Sequence, residues 1–185
     1  MSRKVKYMNG ALIEYEILPL VDYYDDILRQ PTIPYDFNTR NDSEYIAYSL
    51  AESMGHYGGL GLSANQVGLR DRVCVINMGK EAWVMFNPII IEKSQTKTNY
   101  AEGCLSYPGL YLKIGRVDHV KVRFQAIGGQ FVEKEMDGLT AVCIQHEIDH
   151  LDGIRYTDLV SPIKLDQAKR KVKTTLKKMA RVAVS

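Results

Sequence analysis

Two histidines four residues apart, with a glutamate directly after the first, form the stretch Q-H-E-I-D-H from Gln145 to His150. On a helix, side chains at i and i+4 stack on one face, so His146 and His150 can grip one metal ion. Glu147 would then sit beside the ion without ligating it, the place for a general base that takes a proton from water. Only four histidines occur in the chain, and two of them make this pattern. A catalytic metal usually has three protein ligands and one open position, so a third ligand is required.

Three candidates present themselves. Downstream, H-E-I-D-H-L-D-G-I-R-Y follows the start of the H-E-x-x-H-x-x-G-x-x-H metalloprotease pattern, but Tyr156 stands where its third histidine belongs. No His or Glu follows His150, so a zinc endopeptidase lacks its third ligand and remains only as an alternative. Cys143 shares the histidine stripe, yet a cysteine there is most simply core. Cys104, in E-G-C-L-S-Y-P-G, lies between glycines and a proline, on a bend or an irregular strand end, where a thiolate would complete a Cys-His-His set. Cys74, amid the alternating R-V-C-V-I-N-M, reads as core.

The elements that must position these groups follow from periodicity and punctuation. Leu139–Asp152 reads as a helix with Leu139, Val142, Cys143, His146 and His150 on one stripe and Ile144, Ile148 and Leu151 on another side. Such a helix is buried nearly all round, and Gly153 stops it. Buried imidazoles without partners would cost about 1–3 kcal/mol each, which favours a metal over a chance pairing. A second helix spans Asp42–His56, with an Asn41/Glu44 capping box and an apolar stripe of Ile46, Ala47, Leu50, Ala51 and Met54. Residues 1–10 read as loose or a short strand. Residues 17–35, broken by Pro19, Pro31 and Pro34, read as an extended segment with at most a turn at Asp25–Arg29. Strands are expected at Arg72–Met78, Ala82–Glu92 (with a bulge or edge at Pro88), Val117–Ile127 and Gln130–Met136. Turns fall at Gly79-Lys80 and Gly128-Gly129. The alternating glycines of G-G-L-G-L-S-A-N-Q-V-G-L, from Gly58, let backbone approach a partner closely; neither G-K-[ST] nor G-x-G-x-x-G spacing accompanies them, so a nucleotide loop is disfavoured. A last helix covers 162–181, with Ile163, Leu165, Ala168, Val172, Leu176, Met179 and Ala180 as its apolar stripe. The fold class is α+β: antiparallel strands and hairpins packed around a central buried helix.

Three short motifs in fixed order now carry a resemblance: G-L-G-L-S-A-N-Q at Gly59–Gln66, E-G-C-L-S at Glu102–Ser106 and Q-H-E-I-D-H at Gln145–His150. In them the chain resembles the peptide deformylase family, over residues 17–165, with Ser63 in place of the first alanine of that family's first motif. The run L-S-Y-P-G-L-Y resembles the plastid and cyanobacterial branch; Tyr111 stands near the place where other members carry a substrate-holding arginine. The resemblance implies hydrolysis of the N-formyl group of formyl-methionine on nascent polypeptides, with release of formate. It implies Cys104, His146 and His150 as ligands of one divalent ion, Fe2+ in cells with Zn2+ or Ni2+ also accepted, and Glu147 as proton carrier. The Gln66 amide and the Leu105 backbone N–H would donate to the carbonyl as it gains charge. Gly59, Leu60 and Gly61 would pair with the substrate as a strand, Glu102 and Gly103 would flank the methionine pocket, and Gln145 and Asp149 would orient ligands.

Bulk properties fit this reading. At 185 residues, 45% hydrophobic and 25% charged, the chain suits one globular domain. We assign residues 1–165 to a catalytic domain and 166–185 to a basic C-terminal helix of the same domain. Residues 164–185 carry +7 of charge against −5 for the remainder, an asymmetry that points to an anionic partner, the ribosome by resemblance. The odd cysteine count argues against a disulfide scaffold. With no run of about 18 apolar residues and no apolar segment behind M-S-R-K-V-K-Y, neither a membrane span nor a signal peptide is expected, and the location is cytoplasmic.

Overall fold

The computed structural model describes residues 4–8, 11–79 and 81–182. β1 (Lys4–Met8) and β2 (Ala11–Tyr15) form an antiparallel hairpin, so the described part of residues 1–10 is strand; residues 1–3, 9 and 10 lie outside the described ones. The proline-broken segment that follows is extended apart from one 3-10 turn at Asp26–Arg29. It is strapped to the body by backbone bonds: Val21 N–H donates to Gln66 O at 2.9 Å, Thr32 N–H to Leu151 O at 2.8 Å and Ile33 N–H to Arg70 O at 2.7 Å.

α1 (Ser43–His56) buries Ile46, Ala47, Leu50 and Met54 as its stripe predicts. The expected Asn41/Glu44 capping box does not form. The helix starts from Asp42, whose carboxylate makes no cap bond; it accepts from Tyr35 Oη at 2.8 Å and Arg40 Nη2 at 2.7 Å. A bond from a guanidinium is stronger than one from a neutral N–H, so the side chain turns away from the helix end.

Seven further strands follow: β3 (Gly61–Ser63), β4 (Val73–Asn77), β5 (Ala82–Lys93), β6 (Lys97–Cys104), β7 (Tyr107–Val117), β8 (His119–Gln125) and β9 (Phe131–Asp137). Five make one antiparallel sheet in the order β3-β4-β5-β8-β9, while β6 and β7 pair only with each other. Pro88 does mark a bulge, since the β5–β8 register slips between Phe86 and Ile89 and Asn87 adopts φ 52°. The β8–β9 hairpin turns at Gly128 and Gly129, with φ of 94° and 89°, a geometry open to glycine. Of the Gly79-Lys80 turn, Lys80 lies outside the described residues. The strand expected from Val117 starts at His119, because Asp118 turns the chain and accepts from Thr98 Oγ1 at 2.8 Å and Tyr100 Oη at 2.9 Å.

α2 (Gly138–Leu151) sits between these layers. Ala141, Ile144, Ile148 and Leu151 join the sheet residues Cys74, Ile76, Met85, Val120, Val122 and Phe124 in one core, which leaves its other stripe for β7 and the site. α3 (Pro162–Val182) lays Leu165, Ala168 and Val172 on a smaller core of Leu110, Leu112, Ile114 and Tyr156; the side chains of Met179 and Ala180 lie outside the described residues. Among the described residues no helix is long and apolar enough to cross a membrane.

Gly153 ends α2 with φ 76°, and a Cβ there would come within 2.8 Å of the Arg29 carbonyl. Gly153→Ala therefore forces both a left-handed alanine and a backbone clash. It should lower stability by about 1–3 kcal/mol in urea denaturation. Gly55→Ala, on α1 with nothing within 4 Å of the new methyl, should gain about 0.5–1 kcal/mol in the same measurement.

Candidate active site

Cys104 is the last residue of β6, and the β6–β7 ladder slips between Glu102 and Cys104. That irregularity turns the thiol toward α2, where His146 and His150 stack one turn apart with ring centroids 4.8 Å from each other. Cys104 Sγ lies 3.2 Å from His150 Nε2, and the sulfur and one nitrogen of each imidazole all fall within 4.8 Å of one another. Around a tetrahedral ion with bonds of about 2.0–2.3 Å, such atoms stand about 3.3–3.6 Å apart. The three groups therefore fit one divalent ion. The other candidates do not compete: Tyr156 Oη donates to Leu110 O at 2.9 Å inside the small core, Cys74 is fully buried in the sheet core, and Cys143 lies beside the cleft.

A chain of charged groups holds this cluster in place. Arg116, from β7, donates through Nε to Glu102 Oε1 at 2.7 Å and through Nη2 to Oε2 at 3.2 Å. Its Nη1 donates to Asp149 Oδ2 at 2.5 Å. Glu102 Oε2 in turn is 2.9 Å from His146 Nδ1, which leaves Nε2 of that ring for an ion. Burial alone would raise the Glu102 carboxyl, but bonds from His146 and Arg116 outweigh it and hold it below its ordinary value. Burial also opposes the charge on His146, yet bonding to Cys104 and Glu102 lifts it to about 10; a divalent ion would have to displace that proton. Burial pushes His150 well down and so keeps it neutral, as a ligand must be. It pushes Glu147 up to about 7, close to where a proton carrier works best.

The first motif closes the opposite wall. β3 is an edge strand, so Gly59, Leu60 and Gly61 present backbone to the cleft. A Cβ on Gly61 would stand 2.8 Å from both Cys143 Sγ and the Glu147 carboxyl carbon, and one on Gly59 would stand 2.7 Å from Leu105 Cδ1. Only glycine lets this strand approach the helix so closely. Gln66 Oε1 accepts from Ser63 N–H and Oγ, both at 2.9 Å, which aims Nε2 at Cys104 Sγ, 3.4 Å away, and at Ser106 Oγ, 3.0 Å away. Gly103 meets the cleft with the Tyr111 ring lying where its Cβ would be, 2.8 Å off. Glu102 lines the cleft too, though its carboxylate is taken up by His146 and Arg116. Of the two residues expected to orient ligands, Asp149 is linked to His146 only by way of Arg116 and Glu102. Gln145 instead fixes β7, donating to Val117 O at 2.9 Å.

Sequence reasoning missed Arg116 and Asn65. Asn65, fully buried, donates through Nδ2 to His150 O at 2.5 Å. A signal for Arg116 existed: it ends the period-two series Leu110, Leu112, Ile114, Arg116, all buried, and an arginine at a core position needs a carboxylate partner. The whole cleft encloses about 560 Å³. Glu147, which lines the cleft, has its Oε2 buried without a hydrogen-bond partner, a polar atom that a water on a bound ion would engage.

A thiol and two imidazoles round one point, with a carboxylate of matched pKa on the same helix, define a metal-dependent hydrolase. The comparisons with known proteins narrow this class. The polypeptide deformylase family model matches residues 17–166. Peptide deformylase 2 of Xanthomonas axonopodis pv. citri is 37% identical over 169 residues, covering 89% of this chain and 99% of its own. A peptide deformylase structure from Legionella pneumophila superposes with a TM-score of 0.80 at 32% identity, over 90% of this chain and 99% of that one. One from Synechococcus elongatus, in complex with actinonin, gives 0.77 at 34% identity, over 84% and 86%. The chain belongs to the polypeptide deformylase family, whose members are metal-dependent hydrolases that remove the formyl group from the N-terminus of nascent peptides. Identity to the cyanobacterial structure is no higher than the 34% found with that of Thermotoga maritima, so the branch suggested by L-S-Y-P-G-L-Y is not singled out.

Arg116→Met takes the guanidinium from the buried Glu102 and the partly buried Asp149. Stability should fall by about 3–5 kcal/mol in urea denaturation. Affinity for a divalent ion, read by competition with a chelator, should fall by about 10–100-fold; unchanged affinity would refute an orienting role for this chain of charges.

Proposed function

We propose that Cys104, His146 and His150 hold one divalent ion at the bottom of the cleft and that deformylation takes place there. The convergence of those three side chains with Glu147 and Gln66 is the observation that supports this reading. Bound at that point, the ion would bring the pKa of a water toward neutrality and polarise the formyl carbonyl. Glu147 takes a proton from the attacking water and delivers it to the leaving amine, a task suited to a carboxylate held near neutrality. The Gln66 amide, aimed at the centre by Ser63, and the Leu105 backbone N–H donate to the carbonyl oxygen as it becomes negative. Gly59, Leu60 and Gly61 pair with the substrate backbone on the free edge of β3, and Glu102 and Gly103 flank the methionine side chain. A thiolate with two imidazoles accepts several divalent metals; we propose Fe2+ in the cell, with Zn2+ or Ni2+ as substitutes. A zinc endopeptidase is the weaker reading, because Tyr156 is committed to Leu110 and cannot ligate.

Anaerobically prepared protein should release formate from a formyl-Met peptide and leave its acetyl counterpart intact. Glu147→Ala should lower the rate by about 10²–10⁴ and Gln66→Ala by about 10²–10³; full activity in Glu147→Ala would sink the assignment.

We further propose that residues 1–165 are the catalytic domain, that 166–185 belong to it as a helix, and that the protein works in the cytoplasm on chains emerging from the ribosome. The packing of Leu165, Ala168 and Val172 on the small core supports the first two points, and three free thiols suit a reducing compartment. The exposure of Lys164, Lys171 and Arg170, the last paired with Asp166 at 2.9 Å, supports contact with a phosphate backbone. Changing all three to Gln should weaken co-sedimentation with ribosomes at low salt, whereas unchanged binding would remove the ribosome from the proposal.

A further inference from the structure

A second groove, of about 810 Å³, opens beside the active-site cleft and shares Leu20, Leu105 and Pro108 with it. Its floor is apolar: Tyr23, Tyr107, Val172 and Leu176 line it. Its rim carries two cations and one anion, and the Asp22 carboxylate there accepts from Tyr24 N–H at 2.8 Å. Lys169 and Lys173 stand one turn apart on the inner side of α3, and among the described residues no carboxylate pairs with either. Like charges at i and i+4 repel, so this pair costs the helix a little stability unless something anionic comes to it. The catalytic reading makes no use of either lysine, and the outward cations proposed for the ribosome lie on other sides of α3.

We propose that this groove receives the substrate polypeptide downstream of its formyl-methionine and selects for acidic side chains about three to five residues beyond it. The inference rests on the catalytic reading given above. With the formyl end at Cys104, His146 and His150 and the chain running back from Gly61 to Gly59, it meets the Leu105 side chain, 2.7 Å from a Cβ on Gly59, which with Leu20 and Pro108 is shared by the two cavities and forms the threshold between them. An extended peptide advances about 3.3 Å per residue, so three to five residues span about 10–17 Å, enough to cross that threshold. Apolar portions of the peptide rest on Tyr107, Val172 and Leu176, and a carboxylate meets Lys169 and Lys173. The groove fits a single-stranded nucleic acid less well, because two of its three rings are already engaged. Tyr23 and Tyr107 pack edge to face at 4.3 Å and 82°, Lys169 Nζ lies over the Tyr107 ring at 5.7 Å, and Arg155 covers the Tyr23 ring at 5.2 Å. Of the rings lining the groove only Tyr24, 65% exposed, is left for a base, whereas successive bases need several.

Three formylated peptides test this at low ionic strength: formyl-Met-Ala-Ser, and two heptapeptides that extend it with Asp or with Lys at positions four to six. The wild type should show kcat/KM about 5–20-fold higher for the acidic heptapeptide than for the basic one, carried by KM and shrinking as salt rises. In the Lys169→Glu/Lys173→Glu variant the preference should vanish or invert. Equal kcat/KM for the two heptapeptides in the wild type would overturn the proposal, as would a preference that survives in the variant. The wild-type salt dependence alone decides the matter if the variant does not fold. A single-stranded RNA oligonucleotide that inhibits both heptapeptides equally, with no dependence on peptide charge, would assign the groove to RNA and overturn the proposal as well. Turnover of formyl-Met-Ala-Ser reports on the catalytic centre alone, so its absence in the wild type would count against the catalytic reading and not against the groove.

Discussion

Arg116 is the cation on which the geometry of the site depends. It stands in the core at the end of β7 and is surrounded by Glu102 from β6 and Asp149 from α2. With the Glu102–His146 bond and the pairing of Gln145 with Val117, it joins the small β6–β7 sheet to the central helix. The hairpin brings the thiol and the helix brings the imidazoles, and neither contributes a site alone. Desolvating one guanidinium and two carboxylates is expensive, and apolar packing of equal volume would serve stability as well or better. The arrangement makes sense as positioning: a bidentate fork fixes distance and angle at once, and Glu102 passes that precision on to the His146 ring.

The second constraint is closeness. The edge strand β3 lies directly on Glu147 and Cys143 because Gly61 has no side chain. The same strand is the edge of its sheet, with only β4 as neighbour among the described strands. A free edge is ordinarily a liability for aggregation. Here it lies at the mouth of a cleft only a few residues long, which limits what can pair with it.

Much of this was legible in the chain. The helix carrying His146 and His150 was readable from its two apolar stripes, and its end from Gly153. The β8–β9 hairpin was readable from alternation and the Gly128-Gly129 pair, and the bulge from Pro88. The β6–β7 hairpin was not. Lys97–Cys104 is mostly exposed on both faces and lacks an alternating apolar pattern, so nothing local marks it as strand; its partner's long-range hydrogen bonds decide the matter. The Asn41/Glu44 capping box failed for a similar reason, since Tyr35 and Arg40 supply tertiary partners that no local rule contains. Arg116 was overlooked because a charged residue at the end of a strand reads as solvated until its two carboxylates, one of them 33 residues away, come into view.

The slip in the β6–β7 ladder between Glu102 and Cys104 bears on how such an enzyme can diverge. Strand side chains alternate faces with a period of two, so inserting or deleting one residue between Lys97 and Cys104 would carry the sulfur to the far side of the ribbon. At the exposed positions of the hairpin a change of residue type is therefore far less disruptive than a change of length.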